Sequence, residues 1–242
     1  MNQKEKLNKV TATSARFSRI GAMSLGSKIA MGILALVVLM SVLAPFVSPY
    51  GPDQIFDKWS APSGDHLFGT DHVGRDIFAR VLYGGRFSLM IGLCSTLIAL
   101  FFGAIIGSIA AVVRKSFSEA IMRVMDIVMA VPGIAMAAVS VLVFGRTLSK
   151  SGNTWGLVVV IICSIAFVYI PQLSRIVRAN VMAAYGEDYV RAVIVSGARA
   201  PWILVKHVMR NTAAPVLVFA TVLVADAIIL EASLTFIGSG LQ

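Results

Sequence analysis

The sequence has few charges, few cysteines and none of the common motifs of soluble enzymes. Charged residues make up 14% of its 242 positions, against about 25% in ordinary globular domains. With only two cysteines it is not a disulfide scaffold. It contains no GxxxxGK[ST], HExxH or GxSxG motif, so the usual patterns for ATP binding, zinc peptidases and serine hydrolases are missing. Apolar residues make up 57%, with a mean hydropathy of +0.84, which indicates a helical membrane protein.

Apolar runs of membrane-spanning length are the main feature of the chain. A helix needs about 20 apolar residues to cross the hydrocarbon core of a bilayer. Five segments meet this requirement: Ile29–Val47, Phe87–Val113, Ile127–Phe144, Trp155–Pro171 and Ala213–Ile237. They are apolar on all sides, which favours helices over the alternating strands of a barrel. We predict an all-α, polytopic membrane helix bundle with five spans, the fourth continuing as a helix through Gln172–Ala179.

The basic residues give the orientation of these spans. Fifteen of the 21 Lys and Arg residues lie in segments 1–28, 114–123 and 173–212, and six lie in the alternate segments. By the positive-inside rule, the three basic segments are cytoplasmic and segment 48–86 is external. The net charge of +9 is spread over three loops, so we expect no nucleic-acid partner.

The external segment 48–86 is rich in turn-forming residues at its start and amphipathic at its end. Asp71 and Asp76 are candidate helix caps, and Gly74 permits a tight turn between them. From Ile77 onward the pattern predicts a short helix at the outer membrane interface. The histidine and aspartate residues of this segment match no compact metal-ligand spacing, so no metal site is expected.

The start of the third span carries several helix-boundary signals. Ser116 and Glu119 have the spacing of a capping box, which predicts a helix start there. Arg123 and Asp126 are three positions apart and are expected to pair on one helix face. Pro132–Gly133 predicts a kink, and both a gating role and a simply tolerated proline remain open.

The cytoplasmic segment 173–212 predicts two helices separated by a glycine. Glu187 and Asp188 begin the first helix after Gly186, Gly197 ends it, and the second helix spans 201–209. The face of the first helix is formed by Tyr189, Ala192, Val193 and Ser196, with Val190 and Ile194 beside it. Two interpretations remain open: a helical hairpin packed on its own spans, or a docking element for a cytoplasmic partner.

Small and acidic residues inside the spans also require explanation. Gly103 and Gly107 permit a close helix approach, which we assign to packing within the chain rather than between subunits. Asp226 and Glu231 lie in the fifth span, where a central carboxylate costs about 2.5–3.5 kcal/mol and must face protein or water. Asp226 is the better candidate for lining a pathway, and Glu231 is expected to reach the outer interface.

Two separate motifs resemble the C-type permease subunits of dipeptide/oligopeptide ABC transporters, over about residues 25–242. The outer family motif GTDxxGRDxxxRxxxGxRxSL is matched by Gly69, Thr70, Asp71, Gly74, Arg75, Asp76, Arg80, Gly84, Arg86, Ser88 and Leu89. The cytoplasmic segment resembles the EAA loop of ABC importers, and the implied ATPase-coupling residues are Glu187, Asp188, Tyr189, Val190, Arg191, Ala192, Val193, Ser196, Gly197 and His207. Arg191, Val193 and Arg210 depart from the Glu, Ala and Pro of the general pattern.

The resemblance implies a complete transport machine in which this chain is a non-catalytic part. Its partners would be a second permease subunit, two cytoplasmic ATPase subunits that bind ATP-Mg, an external substrate-binding protein and the lipid bilayer. No cofactor is expected in this chain, which would lie in a bacterial inner membrane with its N-terminus in the cytoplasm. Peptides are the first expected substrate, and nickel complexes or other small solutes are alternatives. The family adds a sixth span after Gly238, whereas the sequence ends at Gln242, so we expect either a truncation or a shortened relative.

Two other classes of function remain to be compared with the importer. A stand-alone secondary transporter or channel would use Asp226 and Glu231 as ion or proton groups. A membrane enzyme ranks last, because no catalytic motif is present. The cytoplasmic helix-Gly-helix segment distinguishes the importer from both, since a self-sufficient carrier does not need it.

Overall fold

The structure is a computed structural model that describes residues 24–145, 154–198 and 200–238. The predicted cytoplasmic tail lies outside the described residues up to position 23. Within the described ranges the fold is helical, and the β pairing consists of two isolated bridges, Ile55–Arg75 and Thr70–Asp76. The chain divides into two compact units, Met1–Phe87 and Ser88–Gln242, and each is described by itself.

The first unit begins with two helices and continues into a folded segment that is predicted to be external. Helix α1 spans Leu25–Val42, and the Ser24 hydroxyl caps it by accepting a hydrogen bond from the Ser27 N–H at 3.2 Å. Helix α2 spans Ala44–Val47, and Pro45 suits its first turn because proline has no N–H to leave unpaired. Residues 48–76 then form turns that are held by side-chain hydrogen bonds.

Helix α3 spans Ile77–Val112 and corrects one prediction. The helix starts at Ile77 as expected. The prediction of a separate short interfacial helix is wrong, because the 36 residues form one continuous helix. The physical reason is that the junction between the two predicted elements, Gly84-Gly85-Arg86, has no proline to stop the helix. The backbone hydrogen bonds therefore continue into the apolar span.

Two helices at a sharp angle occupy the region of the third predicted span. Helix α4 spans Lys115–Ala130 and helix α5 spans Gly133–Ser140, continued by a π-helical turn over Val141–Gly145. They are bent by 81° at the predicted proline, because Val131, which precedes Pro132, adopts an extended conformation with ψ 130°. The predicted capping box is wrong: the cap position is Arg114, and Ser116 lies one residue inside the helix.

The remaining helices form the fourth predicted span, the segment predicted to be cytoplasmic and the last predicted span. Helix α6 spans Thr154–Tyr185 and includes the predicted extension beyond Pro171, helix α7 spans Asp188–Val195, and helix α8 spans Ala200–Ile203. A π-helical turn over Leu204–Val208 leads into helix α9, Met209–Phe236. The second helix predicted for segment 173–212 therefore runs on into the last span. Arg210 lies in this continuous stretch, at the position where the family pattern has proline.

Helix α6 is the centre of the second unit. Its residues Ile161, Ile165 and Leu173 have no exposed surface, and they form one apolar core with α3, α5 and α9. Glycines make the closest approach possible: a Cβ at Gly107 would lie 2.4 Å from the Ser174 carbonyl oxygen, and one at Gly103 would lie 2.6 Å from the Leu173 Cβ. The prediction that these glycines serve packing within the chain is confirmed.

Four helices of the described residues are long and apolar enough to cross a membrane. They comprise Leu25–Val42, Ile77–Val112, Trp155–Tyr185 and Leu204–Phe236, and the bent pair formed by α4 and α5 gives a fifth span if it is counted as one. Much of their apolar surface is exposed in the isolated chain, as expected where lipid or other subunits cover it. The predicted all-α polytopic membrane fold is confirmed.

Candidate coupling element and external motif

A Schellman motif terminates helix α7 and sets the geometry of the segment between α6 and α9. Gly197 adopts φ +81°, its N–H donates to the Ile194 carbonyl at 2.9 Å, and the Ala198 N–H donates to the Val193 carbonyl at 3.4 Å. These two bonds satisfy carbonyls that a helix end leaves unpaired. The predicted glycine break is therefore confirmed, and it turns the chain toward α8.

Helix α7 buries one face and leaves the other open. Val190 is fully buried and, with Val193, packs in one apolar cluster with Val181 of α6 and Val208 of the π-helical turn before α9. The predicted common face was partly wrong, because Val193 turns inward with Val190 while the other residues remain outside. The exposed positions are Glu187, Asp188, Tyr189, Arg191, Ala192, Ile194, Val195, Ser196 and Gly197.

The exposed surface of this element is apolar at its tip and basic beside it. Val195 is 88% exposed, and Val205 and Trp202 are also exposed. The Lys206 ammonium lies 4.7 Å from the Trp202 ring centre. The His207 ring centre lies 4.9 Å from the same Trp202 ring centre. Sequence reasoning identified His207 but missed Trp202, although its i, i+4 spacing to Lys206 was a usable signal.

Polar contacts hold α4 against α6 next to this element. Asp126 forms an ion pair with Arg175 of α6, so the predicted pairing with Arg123 is wrong. The Arg178 guanidinium donates to the Ser118 hydroxyl at 3.0 Å, and that hydroxyl donates to the Ala110 carbonyl at 2.6 Å. Sequence reasoning missed this arrangement, because residues far apart in the chain show no periodic signal.

In the outer motif, Asp76 is the buried acid and organises the start of α3. Its side chain is 3% exposed, its Oδ1 accepts a hydrogen bond from the Ala79 N–H at 2.7 Å, and its Oδ2 lies 2.8 Å from His66 Nδ1. The predicted capping role of Asp76 is thereby confirmed. The His66 ring also lies against Phe56 and Tyr50, with ring centres 4.7 and 5.2 Å away.

Asp71 closes a turn and joins the two arginines of the motif. Its carboxylate accepts hydrogen bonds from the N–H groups of Val73 and Arg75, from Arg75 Nε at 3.0 Å and from Arg80 Nη1 at 3.1 Å. The N–H of Arg75, that of Val73 and the Arg75 guanidinium hold the pKa of Asp71 well below its usual range. This contribution to stability is therefore present above the unfolded-state pKa and is lost only as the pH falls toward the lower folded value.

The glycines and the threonine of the motif hold the preceding loop, residues 55–62. Gly74 has φ +97°, and a Cβ there would lie 2.2 Å from the Phe56 carbonyl oxygen. Gly69 has φ +73°, and a Cβ there would lie 2.4 Å from the Ser60 carbonyl oxygen. The buried Thr70 hydroxyl donates to the Asp57 carbonyl at 2.6 Å and accepts from the Ser60 N–H at 2.8 Å. Arg86 of the motif is exposed on α3.

The two acids of α9 have different surroundings. Glu231 is 6% exposed, and its carboxylate accepts hydrogen bonds from the Ser88 hydroxyl of α3 at 2.9 Å and from the Thr235 hydroxyl at 3.1 Å. The prediction that it reaches the interface or lines a pathway is wrong, because it is enclosed between helices and already paired. Asp226 is exposed in the isolated chain. A carboxylate in a membrane span must contact water or another protein group.

Two family models match the chain over most of its length. Residues 103–242 match the binding-protein-dependent transport system inner membrane component, and residues 26–62 match the N-terminal transmembrane domain of oligopeptide transport permease C. The first region includes helix α7 and Gly197, and the second ends at the last residue of the loop that the outer motif holds.

Curated proteins with related sequences include several transport permeases. A putative peptide transport system permease protein of Brucella suis is 39% identical over 215 residues, covering 88% of this chain and 69% of that protein. The dipeptide transport system permease protein of Alkalihalophilus pseudofirmus is 33% identical, covering 87% and 66%, and the oligopeptide transport system permease protein of Bacillus subtilis is 35% identical, covering 86% and 66%. The chain thus spans about two thirds of the length of these relatives.

Proposed function

Because this chain belongs to the family of inner membrane components of binding-protein-dependent transport systems, we propose that it is a permease subunit of an ATP-driven importer of di- and oligopeptides. The substrate class is supported by the names of the relatives, which are permeases for peptides, dipeptides or oligopeptides. The single observation that carries the mechanism is helix α7, which is packed on one face, ended by Gly197 and exposed at its apolar tip.

Coupling to ATP is the proposed role of this element. A small helix with one face packed on α6, α8 and the π-helical turn, and the other face open, is suited to dock in a cleft of a cytoplasmic ATPase subunit. Movement of that subunit would then pass through the packed contacts of Val190 to the membrane helices, rather than being absorbed by a flexible loop. ATP-Mg would be bound and hydrolysed in the ATPase subunits, and this chain would remain non-catalytic.

The proposed assembly contains a second permease subunit, two ATPase subunits and an external substrate-binding protein. The chain would lie in a bacterial inner membrane with its N-terminus in the cytoplasm, the orientation that the distribution of Lys and Arg favours. Substrate would pass between the two permease subunits while their helices alternate between inward- and outward-facing arrangements. Exposed apolar surface on α3 and α9 is available for the contacts that this assembly requires.

Asp226 is proposed to face the water-filled pathway between the two permease subunits. It is exposed on the same helix whose Glu231 is enclosed, and a carboxylate in a span is too costly to face lipid. The adjoining exposed positions Val222 and Ile229 extend the same side of α9 along the membrane. This side would therefore line the pathway or the contact with the second permease.

Cysteine labelling tests the position of Asp226. In a background with Cys94 and Cys163 replaced by alanine, Asp226→Cys is expected to react with a charged, water-soluble thiol reagent. Leu34→Cys, 63% exposed on the first apolar helix, is the control, and it is expected to remain unlabelled because lipid covers it. Equal and negligible labelling at both positions would contradict a water-facing Asp226.

Composition of the purified complex tests the proposed function as a whole. The intact transporter, purified from native membranes in mild detergent, is expected to contain two ATPase chains and a second permease. A peptide-binding protein is expected to join when a dipeptide is added, and reconstituted vesicles should take up the dipeptide only with ATP. Recovery of this protein alone, with transport that needs no ATP, would support a stand-alone carrier instead.

A further inference from the structure

Trp59 is an exposed aromatic residue held in a strained backbone conformation on the external segment. Its φ is +58°, and it is the one non-glycine residue with positive φ in the described part of the chain. Its side chain is nonetheless 75% exposed, so no burial of the indole within the described chain offsets the strain. A bulky residue in this conformation is uncommon, and such residues cluster where a site holds a side chain in place for function.

The outer motif supplies the contacts that keep Trp59 in this position. The Trp59 N–H donates to the Asp71 carbonyl at 3.3 Å, and the Phe56 N–H donates to the Gly74 carbonyl at 2.7 Å. On the other side, the Ser60 N–H is bound by the Thr70 hydroxyl. The motif thus fixes the loop on both sides of Trp59 while leaving the indole itself outside.

The surroundings of Trp59 are apolar and acidic. Ile55 is 68% exposed on the same loop, and the His72 ring centre lies 6.3 Å from that of Trp59. Between residues 48 and 76 the chain has five aspartates against one lysine and one arginine, although the whole chain has a net charge of +9. Asp71 is paired with Arg75 and Arg80, and Asp76 is buried and hydrogen-bonded to His66. Asp53, Asp57 and Asp65 remain as exposed carboxylates.

The charge of the loop around Trp59 distinguishes between a membrane interface and a protein partner as the surface that the indole enters. Tryptophan is frequent both at membrane interfaces and at the centres of protein–protein contacts. Segments that bind anionic lipid surfaces are basic, whereas this loop carries exposed carboxylates beside the indole. A soluble protein with an apolar pocket and a basic rim is complementary to this surface.

We propose that Trp59 and Ile55, presented by the outer motif, form a docking surface for the external substrate-binding protein. The Trp59 indole would enter an apolar pocket of that protein, and basic residues around the pocket would face Asp53 and Asp57. The inference rests on the proposed function, since it requires the binding protein of an importer. It gives the outer motif a role: holding a docking loop in place.

Stimulation of ATP hydrolysis in the reconstituted transporter tests the proposal. The peptide-binding protein that joins the wild-type complex is titrated, with saturating dipeptide, against the wild type, Trp59→Ala and Phe46→Ala. Phe46 is the matched control, because it is an aromatic residue of the same unit, 87% exposed, but outside the loop. Trp59→Ala is expected to raise the binding-protein concentration for half-maximal stimulation about tenfold or more, as for a central interface tryptophan. Phe46→Ala should leave that concentration unchanged, and both variants should keep the basal ATPase rate.

A photo-crosslinking amino acid at position 59 distinguishes the two possible surfaces directly. Crosslinks to the binding protein, identified by mass spectrometry, would support the proposal. An unchanged half-maximal concentration in Trp59→Ala, or crosslinks to lipid alone, would overturn it while the proposed function stands. A wild-type transporter that the binding protein does not stimulate would instead remove the proposed function, and this inference with it.

Discussion

Replacing Gly197 by valine is expected to lower ATP-driven uptake about tenfold or more while leaving the protein in the membrane. A β-branched residue at φ +81° is strained by about 1–3 kcal/mol. Helix α7 has only eight residues and little stability of its own, so this strain is enough to displace its end. Since a difference of about 1.4 kcal/mol changes an equilibrium tenfold, a large part of the population would lose the docking geometry.

Gly197→Asn is the matched control for this prediction. A Cβ at position 197 would meet no atom within 4 Å, so the valine variant acts through backbone conformation and not through a clash inside the chain. Asparagine tolerates the left-handed conformation far better than valine does, and uptake by Gly197→Asn is expected to stay within about twofold of the wild type.

Uptake of a radiolabelled dipeptide and the amount of permease in the membrane are the measurements that check the Gly197 variants. Equal losses in the asparagine and valine variants would indicate that any side chain at this position blocks docking. Wild-type uptake by Gly197→Val would show that coupling does not require the Schellman geometry.

Replacing Gly107 by valine is expected to prevent assembly of the second unit. Its Cβ would lie 2.4 Å from the Ser174 carbonyl oxygen and 2.8 Å from the Val177 Cβ, and neither the backbone nor a Cβ can move aside by side-chain rotation. Helices α3 and α6 would have to separate, at a cost of about 1–3 kcal/mol or more. Most of the protein should then aggregate on extraction into mild detergent.

Gly32→Val provides the comparison for Gly107. It is the same substitution at a helical glycine of another apolar helix, where a Cβ would meet nothing within 4 Å. Size-exclusion chromatography of the solubilised protein and its thermal unfolding midpoint are the measurements. Identical elution and midpoints for the two variants would contradict the close approach of α3 and α6.

The parts of the fold that local pattern determines were predictable from the sequence. The apolar runs, the bend at Pro132 and the break at Gly197 each depend on a residue type acting on its own backbone. The outer motif showed where α3 begins, because Asp76 is an N-terminal capping residue next to Ile77. These features can be predicted without knowing the tertiary contacts.

The errors share one physical cause, which is that distant partners decide between local alternatives. Asp126 could pair within its helix, but Arg175 of α6 is available and binds it. Glu231 was expected at the interface, but it lies inside the bundle and accepts a hydrogen bond from the Ser88 hydroxyl, 143 positions earlier in the chain. The exposed strained Trp59 also gave no signal, because a positive φ outside glycine follows from the hydrogen bonds around it.

The pairing of Glu231 with Ser88 has a consequence for biosynthesis. A carboxylate in a newly made hydrophobic segment opposes transfer from the translocon into lipid, and α9 carries two of them. The hydroxyl that receives Glu231 belongs to α3, which the ribosome completes more than 100 residues earlier. Synthesis order therefore places the acceptor helix in the bilayer before the acidic helix emerges, so that α9 can enter the membrane alongside α3 instead of partitioning into lipid alone.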